Sequence, residues 1–177
     1  MRTPLLVTLA LSAACASGGG GVGGQNDQSI HVGTGASGML RVRGEGARTA
    51  SLAYPLERVW RVLPSVFDSL GIALTDLDPA THILGNSGMK VHTSLGGVAL
   101  TKYLDCGSAQ GYQSAETYDI QMSIKSGVES TGDGGSTVAT MIEAAGRPMA
   151  FAGEYVRCTS KGELENAIVA RVKQLLH

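Results

Sequence analysis

Three cysteines, Cys15, Cys106 and Cys158, are the residues of this 177-residue sequence with the clearest capacity for chemistry. A thiol can ligate a metal, carry out redox exchange or close a disulfide, and its neighbours in sequence separate these roles. Cys106 and Cys158 have no second cysteine at C-x-x-C spacing and no histidine close by, so metal and thioredoxin-like roles are disfavoured. If Cys15 is otherwise engaged, the remaining pair is predicted to form a structural disulfide.

Residues 1–14 have the pattern of a secretory signal peptide. Arg2 precedes an apolar run over residues 5–11, and the small residues at positions 12–14 lead to Cys15. The pattern resembles the bacterial lipoprotein signal, whose cysteine becomes the lipidated first residue of the mature chain. Ordinary cleavage after Ala14 or Ala16, leaving a soluble periplasmic protein, is the alternative. Either route leads to an oxidising compartment, which favours the Cys106–Cys158 disulfide.

Residues 15–46 are predicted to be a flexible glycine-rich tether. Residues 18–24 are almost entirely glycine, and they lack the Gly-Lys-Ser/Thr ending of a phosphate-binding loop. Residues 29–32 and 39–42 have the composition of short strands, but the stretch as a whole is interpreted as mostly mobile. Residues 47–177 then form one folded domain of ordinary size.

The first part of that domain predicts a strand, a helix and a hairpin. The strand covers residues 50–54, and the helix has Pro55 at its first position and Gly71 after its end. Apolar residues at helical spacing form the buried stripe of this helix: Val59, Leu63, Val66, Phe67 and Leu70. A hairpin follows, with its turn at residues 78–81.

The second part predicts further strands and a closing helix. Residues 98–104 fit either a strand or an irregular crossing, and the strand is the interpretation chosen. Strands at 117–128 and 136–144 flank a turn at 133–135, Arg147-Pro148 interrupts, and a last strand covers 150–158. Ser160 and Glu163 form a capping box for a helix whose buried stripe is Leu164, Ile168, Val172 and Leu175. The predicted fold class is α+β, an antiparallel sheet with both helices on one face, of the helix-grip type.

The following residues carry a family resemblance: Tyr54-Pro55, Val59-Trp60, Leu63, Phe67, Leu70-Gly71-Ile72 and the hairpin at residues 76–85. At these positions the chain resembles the helix-grip domains of the BamC family, outer-membrane lipoproteins of the β-barrel assembly machinery. The resemblance covers about half of the folded unit and implies a lipid anchor, a long flexible N-terminal segment and partners in outer-membrane protein assembly. The chain departs from the family in having room for one such domain, and in its cysteines 106 and 158, which the family pattern does not require.

The other residues capable of chemistry do not converge in the sequence. His31, His82, His92 and His177 are scattered, Asp76, Asp78 and Asp105 lie beside predicted turns, Ser94 has no base near it, and Trp60 and Phe67 fit a core. The 14 basic and 15 acidic residues leave a net charge of -1, which disfavours nucleic acid as a partner. We therefore expect no catalytic residues, no metal and no cofactor.

Two functions remain as expectations from the sequence. The first is a non-catalytic interaction module, anchored through Cys15 to the bacterial cell envelope, on the outer membrane facing the periplasm, with envelope or outer-membrane assembly proteins as partners. The second is a carrier of a small apolar ligand, because a helix lying across a curved sheet can enclose a cavity.

Overall fold

A computed structural model describes residues 46–109, 111–150 and 153–177. The predicted signal peptide, Cys15 and nearly all of the predicted tether lie outside the described residues. In chain order the elements are β1 (Arg48–Leu52), α1 (Leu56–Ser69), β2 (Asp76–Asp78), β3 (Ile83–Val91), β4 (Ser94–Leu95), β5 (Val98–Ala99), α2 (Leu100–Tyr103), β6 (Leu104–Asp105), β7 (Ser108–Ala109), β8 (Tyr112–Gln113), α3 (Ser114–Thr117), β9 (Tyr118–Ser130), β10 (Ser136–Pro148), β11 (Val156–Ser160) and α4 (Glu163–Leu176).

Two strands of 13 residues, β9 and β10, form the centre of the sheet. Their turn contains Asp133, as the sequence predicted, and it fixes a continuous antiparallel register from Ser130↔Ser136 to Tyr118↔Pro148. Side chains alternate between the two faces of a strand. In β9 the even-numbered residues Ile120, Met122, Ile124 and Val128 are buried, and the intervening side chains lie on the opposite face.

The main sheet has seven strands in the order β2-β3-β9-β10-β11-β6, with β1 also paired to β10. Every pairing in it is antiparallel. The strands β1 and β11 share one edge of β10: β1 pairs with residues 136–140 and β11 with residues 144–146. The fold is therefore α+β with an antiparallel sheet, as expected from the sequence.

Both long helices cover the same face of this sheet. Helix α1 buries Val59, Leu63, Val66 and Phe67, and α4 buries Leu164, Ile168, Val172 and Leu176. The two helices contact each other and both contact β10, so they lie side by side above the even-numbered residues of the central strands. Each fully buried leucine or phenylalanine contributes roughly 1.5–3 kcal/mol, which makes this layer the main source of stability.

The predicted strand over residues 98–104 is wrong. Only Val98–Ala99 are extended before the single helical turn of α2. Leu100, Tyr103 and Leu104 are all buried, and this three-to-four residue spacing suits a turn of helix better than strict alternation.

Two further strand predictions need correction. Strand β10 continues through Arg147-Pro148, where an interruption was expected. Its pairing with β11 has already ended at Gly146, so the missing N–H of Pro148 leaves no gap on that edge. The last strand begins at Val156 and runs to Ser160, later than predicted.

The ends of the helices also differ from expectation. Pro55 is the residue before α1, not its first helical residue. The capping box is wrong: Ser160 ends β11, Gly162 precedes α4 with φ 87°, and the Ser160 hydroxyl donates to Glu165 Oε1 at 2.7 Å. Leu175 is exposed and Leu176 is buried in its place, because Val172 and Leu176 are four residues apart and share a face. Among the described residues, no helix is long and apolar enough to span a membrane.

Candidate functional site

The structure brings together the two cysteines that the sequence paired. The Sγ atoms of Cys106 and Cys158 lie 2.02 Å apart, at disulfide distance. Cys106 directly follows β6, and Cys158 lies in β11, to which β6 is paired. Both cysteines are buried. The bond therefore fastens the edge strand β6 and has the position of a structural disulfide.

Two of the four histidines pack against aromatic rings. The ring of His82 contacts Trp60 edge-to-face with centroids 5.4 Å apart, and its Nε2 lies 3.7 Å from Glu57 Oε1. The ring of His177 contacts Tyr54 in the same geometry at 6.2 Å. Trp60 lies in α1 and Tyr54 lies just before it, so each contact joins this part of the chain to a residue distant in sequence. Both histidines therefore have a packing role. His31, another of the histidines that are scattered in the sequence, lies outside the described residues.

Asp78 and Asp105 have the turn roles that the sequence predicted. Asp78 accepts hydrogen bonds from the Thr81 hydroxyl at 2.7 Å and from the Ala80 N–H at 3.0 Å. The Thr81 hydroxyl is the main reason that the pKa of Asp78 lies below its ordinary value. Asp105 accepts from the Gly107 N–H at 2.9 Å. Asp76 accepts instead from the Ser87 hydroxyl, beside Lys125 Nζ at 4.0 Å.

Four polar and aromatic side chains form a row across the sheet face opposite the helices. His92 Nδ1 lies 2.9 Å from Asp119 Oδ1, and Asp119 is directly opposite Arg147 in the β9–β10 register. The Arg147 guanidinium lies over the ring of Tyr155 at 5.3 Å. The row therefore continues from the end of β3 to the residue before β11.

Sequence reasoning missed this row because His92 and Asp119 are far apart in the chain. Part of it was nevertheless predictable. A hairpin centred on Asp133 pairs residues at equal distances on either side of it, and this places Asp119 opposite Arg147. The position of His92 was not predictable in this way, because the register between β3 and β9 shifts between Asn86 and Met89, before β3 ends beside His92.

Exposed apolar side chains are close in sequence to the Tyr155 end of the row. Met149 is 50% exposed, Tyr155 is 44% exposed and Val156 is also exposed, although all three are large and apolar. Arg157 lies in β11 opposite Ala145, and so on the same sheet face as Arg147. Val156 is opposite Gly146 and therefore lies on the other face of the sheet. We call the surface formed by Arg147, Met149, Tyr155 and Arg157 the end patch. Exposed aromatic, methionine and arginine side chains in one place are typical of protein-binding surfaces.

The His92–Asp119 pair also has a chemical capacity. An imidazole beside a carboxylate is a pairing found in general acid–base sites, but the 2.9 Å contact here lacks hydrogen-bond geometry, since Asp119 Oδ1 has no hydrogen-bond partner among the described residues. Both side chains are partly exposed, at 55% and 39%. Among the described residues, no group of three or more histidine, cysteine, aspartate or glutamate side chains is arranged to hold a metal ion.

A cavity of about 380 Å³ lies elsewhere, between the end of β1 and the β9–β10 turn. Its lining includes Ser51, Thr131 and Asp133, so much of its surface is polar. The space between the helices and the sheet is instead occupied by buried side chains such as Leu63, Phe67 and Ile168. Binding of a small apolar ligand, the alternative function expected from the sequence, remains an untested prediction.

Comparison with known protein families finds no match for this chain, and comparison with curated proteins finds none either.

Proposed function

We propose that this chain is a lipid-anchored protein of the bacterial cell envelope that binds another envelope protein through the end patch, without catalysing a reaction. One observation carries the proposal: two large apolar side chains of the end patch, Met149 and Tyr155, are exposed, and the Arg147 guanidinium lies over the Tyr155 ring. Leaving such side chains in water is unfavourable, and a partner that covers them recovers the free energy of burial.

The chemistry of the end patch specifies the kind of partner. Tyr155 is rigid and already packed beneath the Arg147 guanidinium, so little conformational entropy is lost when a second surface covers it. Arg147 and Arg157 place positive charge beside the apolar residues. The matching partner has an apolar centre with acidic side chains at its rim, and its association should weaken as salt concentration rises.

The sequence features support an envelope location for this module. The signal pattern and Cys15 favour a lipid anchor, and Ala16 in place of aspartate after the cysteine favours the outer membrane. We further propose that the antiparallel sheet and its two helices form a helix-grip domain similar to those of the BamC family. An outer-membrane assembly protein is then the proposed partner.

A photo-crosslinking residue at position 155 tests the docking surface in living cells. Tyr112 provides a matched control, because it is a tyrosine 64% exposed in the separate β7–β8 hairpin. We expect a defined crosslinked envelope protein from position 155 and none from position 112. The same pair serves in rescue of a deletion strain, where Tyr155→Ser should lose function and Tyr112→Ser should retain it.

Three outcomes would overturn the proposal. Equal behaviour of positions 155 and 112 would remove the special role of the end patch. A small apolar molecule retained in native mass spectrometry of membrane-purified protein would favour the carrier. Loss of rescue by His92→Ala or Asp119→Ala, with crosslinking at position 155 unchanged, would favour catalysis at the His92–Asp119 pair.

A further inference from the structure

We infer that the cavity between the end of β1 and the β9–β10 turn binds a small ligand that carries a primary ammonium group beside hydroxyl groups, as an amino sugar or an amino alcohol does. This cavity lies at the opposite end of the β9–β10 pairing from Arg147, so the inference is independent of the end patch. It is also independent of membrane attachment.

The cavity has the size of a small-molecule site. Its volume of about 380 Å³ lies near the lower end of the range for ligand pockets, which is roughly 300–1,000 Å³. One wall is the end of β1, residues 51–53, and the other wall is formed by Thr131 and residues 133–135 of the turn. Ser51 and Asp133 are exposed, so the cavity is open to a ligand from solvent.

Hydrogen bonds hold both walls in place without a ligand. In the turn, the Thr131 N–H donates to the Gly135 carbonyl at 3.0 Å. Beside the end of β1, the buried Ser136 hydroxyl donates to the Tyr54 carbonyl at 2.8 Å. The two walls also approach closely, since a Cβ at Gly135 would lie 2.7 Å from the Leu52 carbonyl oxygen. The cavity is therefore formed in advance, and little ordering is needed when a ligand binds.

The lining carries a negative charge. Asp133 is the only charged residue among the described residues that line the cavity. The Thr131 hydroxyl and the Gly135 N–H donate to its Oδ1, and they hold the pKa of Asp133 below its ordinary value, so the carboxylate is ionised at neutral pH. Because both bonds end on Oδ1, Oδ2 can accept from a ligand. A cation is thus favoured in this cavity and an anion is repelled.

Two hydroxyl groups select the rest of the ligand. Ser51 places a hydroxyl on the wall opposite Asp133, and the Thr131 hydroxyl, which donates to Asp133, can still accept a hydrogen bond. A ligand hydroxyl both donates and accepts, so it can pair with either side chain. An ammonium group has three donors and no acceptor, and it suits the carboxylate. Both kinds of group are close together in amino sugars and amino alcohols.

Titration with defined probes tests the ligand class. In full-length chain carrying Cys15→Ser, with the Cys106–Cys158 bond intact, we follow the amide NMR signals of Gly134 and Gly135 as glucosamine, ethanolamine or N-acetylglucosamine is added. Glucosamine should give saturable shifts at both glycines. N-acetylglucosamine keeps the hydroxyls but lacks the ammonium group, so it should bind at least roughly tenfold more weakly. Equal binding of these two sugars, or no saturable shift with either glucosamine or ethanolamine, would overturn the inference.

Two matched pairs of variants locate the binding. Asp133→Asn keeps an oxygen that accepts from the turn but removes the charge, and it should weaken glucosamine binding at least roughly tenfold. Asp78→Asn is its control, because Asp78 likewise accepts from a threonine hydroxyl and a backbone N–H in a turn, but it does not line the cavity. This variant should bind glucosamine as the parent protein does.

The second pair leaves the carboxylate and the turn unchanged. Ser51→Ile fills the cavity from β1 and should abolish binding, whereas Thr49→Ile, on the same face of the same exposed strand but outside the lining, should preserve it. The other amide signals report whether each variant is folded. If glucosamine binds equally to Ser51→Ile and Thr49→Ile, or equally to Asp133→Asn and Asp78→Asn, the ligand lies elsewhere and the inference is wrong.

Discussion

The hydroxyl oxygens of Ser126 and Thr140 lie 2.7 Å apart in the interior beneath the helices, where both residues are almost completely buried. They face each other across β9 and β10 and share one hydrogen bond, in which either hydroxyl can be the donor. A buried hydroxyl without a partner is costly, so this pair should behave as a unit.

The two members of that pair should be energetically coupled, because either hydroxyl is left unpaired when the other is removed. Ser126→Ala should lower the free energy of unfolding by about 1–3 kcal/mol, because it leaves the Thr140 hydroxyl unpaired. Ser126→Ala with Thr140→Val should cost less than the sum of the single substitutions. Urea unfolding of the four proteins in this double-mutant cycle measures the coupling, and strict additivity would contradict it.

Replacing Thr93 with glycine should stabilise the protein. Its φ of 52° places a β-branched residue in the left-handed region, where backbone strain of about 1–3 kcal/mol is typical. Thr93→Gly relieves that strain and should raise the thermal midpoint, even after the entropic cost of glycine. Thr137→Gly, in extended β10 between β1 and β9, is the control and should lower it. A lower midpoint for Thr93→Gly would disprove the assignment of strain.

The Cys106–Cys158 bond should contribute substantially to stability. The cysteines are 52 residues apart, and closing a loop of that length constrains the unfolded chain by about 4 kcal/mol. Intact mass after alkylation, with and without prior reduction, detects the bond, and unfolding with and without reductant measures its effect. Two thiols that alkylate freely without reduction would exclude the bond.

The turn between β9 and β10 should lose stability in acid through Asp133. The Thr131 hydroxyl and the Gly135 N–H donate to this carboxylate and hold its pKa below the ordinary value of 3.8. Because the pKa of Asp133 is lower in the folded protein than in the unfolded chain, its ionised carboxylate stabilises the fold at pH values above the ordinary pKa. This contribution is lost as the pH falls through the lowered pKa of the folded state. Asp133→Ala should therefore reduce the thermal midpoint at neutral pH and have progressively less effect in acid. A difference that stays constant with pH would contradict this origin.

Membrane attachment should depend on Cys15 alone among the cysteines. Cys15→Ser should release the protein into the soluble periplasmic fraction, because no acyl chain is then attached. Cys106→Ser with Cys158→Ser is the control and should leave attachment unchanged. Fractionation of cells expressing each variant makes the comparison, and a Cys15→Ser protein that remains in the membrane would refute the anchor.

The elements with strong local patterns were predictable from sequence. The spacing of Val59, Leu63 and Phe67 predicted α1, and the alternation around Ile124 with a turn at Asp133 predicted the central hairpin. These patterns repeat over many residues, so each position supports the same conclusion.

The remaining features depend on contacts distant in sequence. Ser160 has the sequence of a helix cap, but pairing with Leu104 keeps it in β11. Residues 98–104 are short and apolar, and periodicity cannot distinguish strand from helix over such a length. Within the candidate site, the hairpin register makes the pairing of Asp119 with Arg147 predictable. The position of His92 beside Asp119 depends instead on the irregularity in β3.

The alignment of α4 with β1 determines where a protein fused to the end of α4 would lie. Arg48 lies beside Glu165 near the start of α4, and Tyr54 lies beside His177 just after its end. Twelve helical residues advance about 18 Å, and six extended residues advance a similar length. A fluorescent reporter joined after His177 would therefore sit at the opposite end of β1 from Arg48, about 20 Å away from where the strand begins.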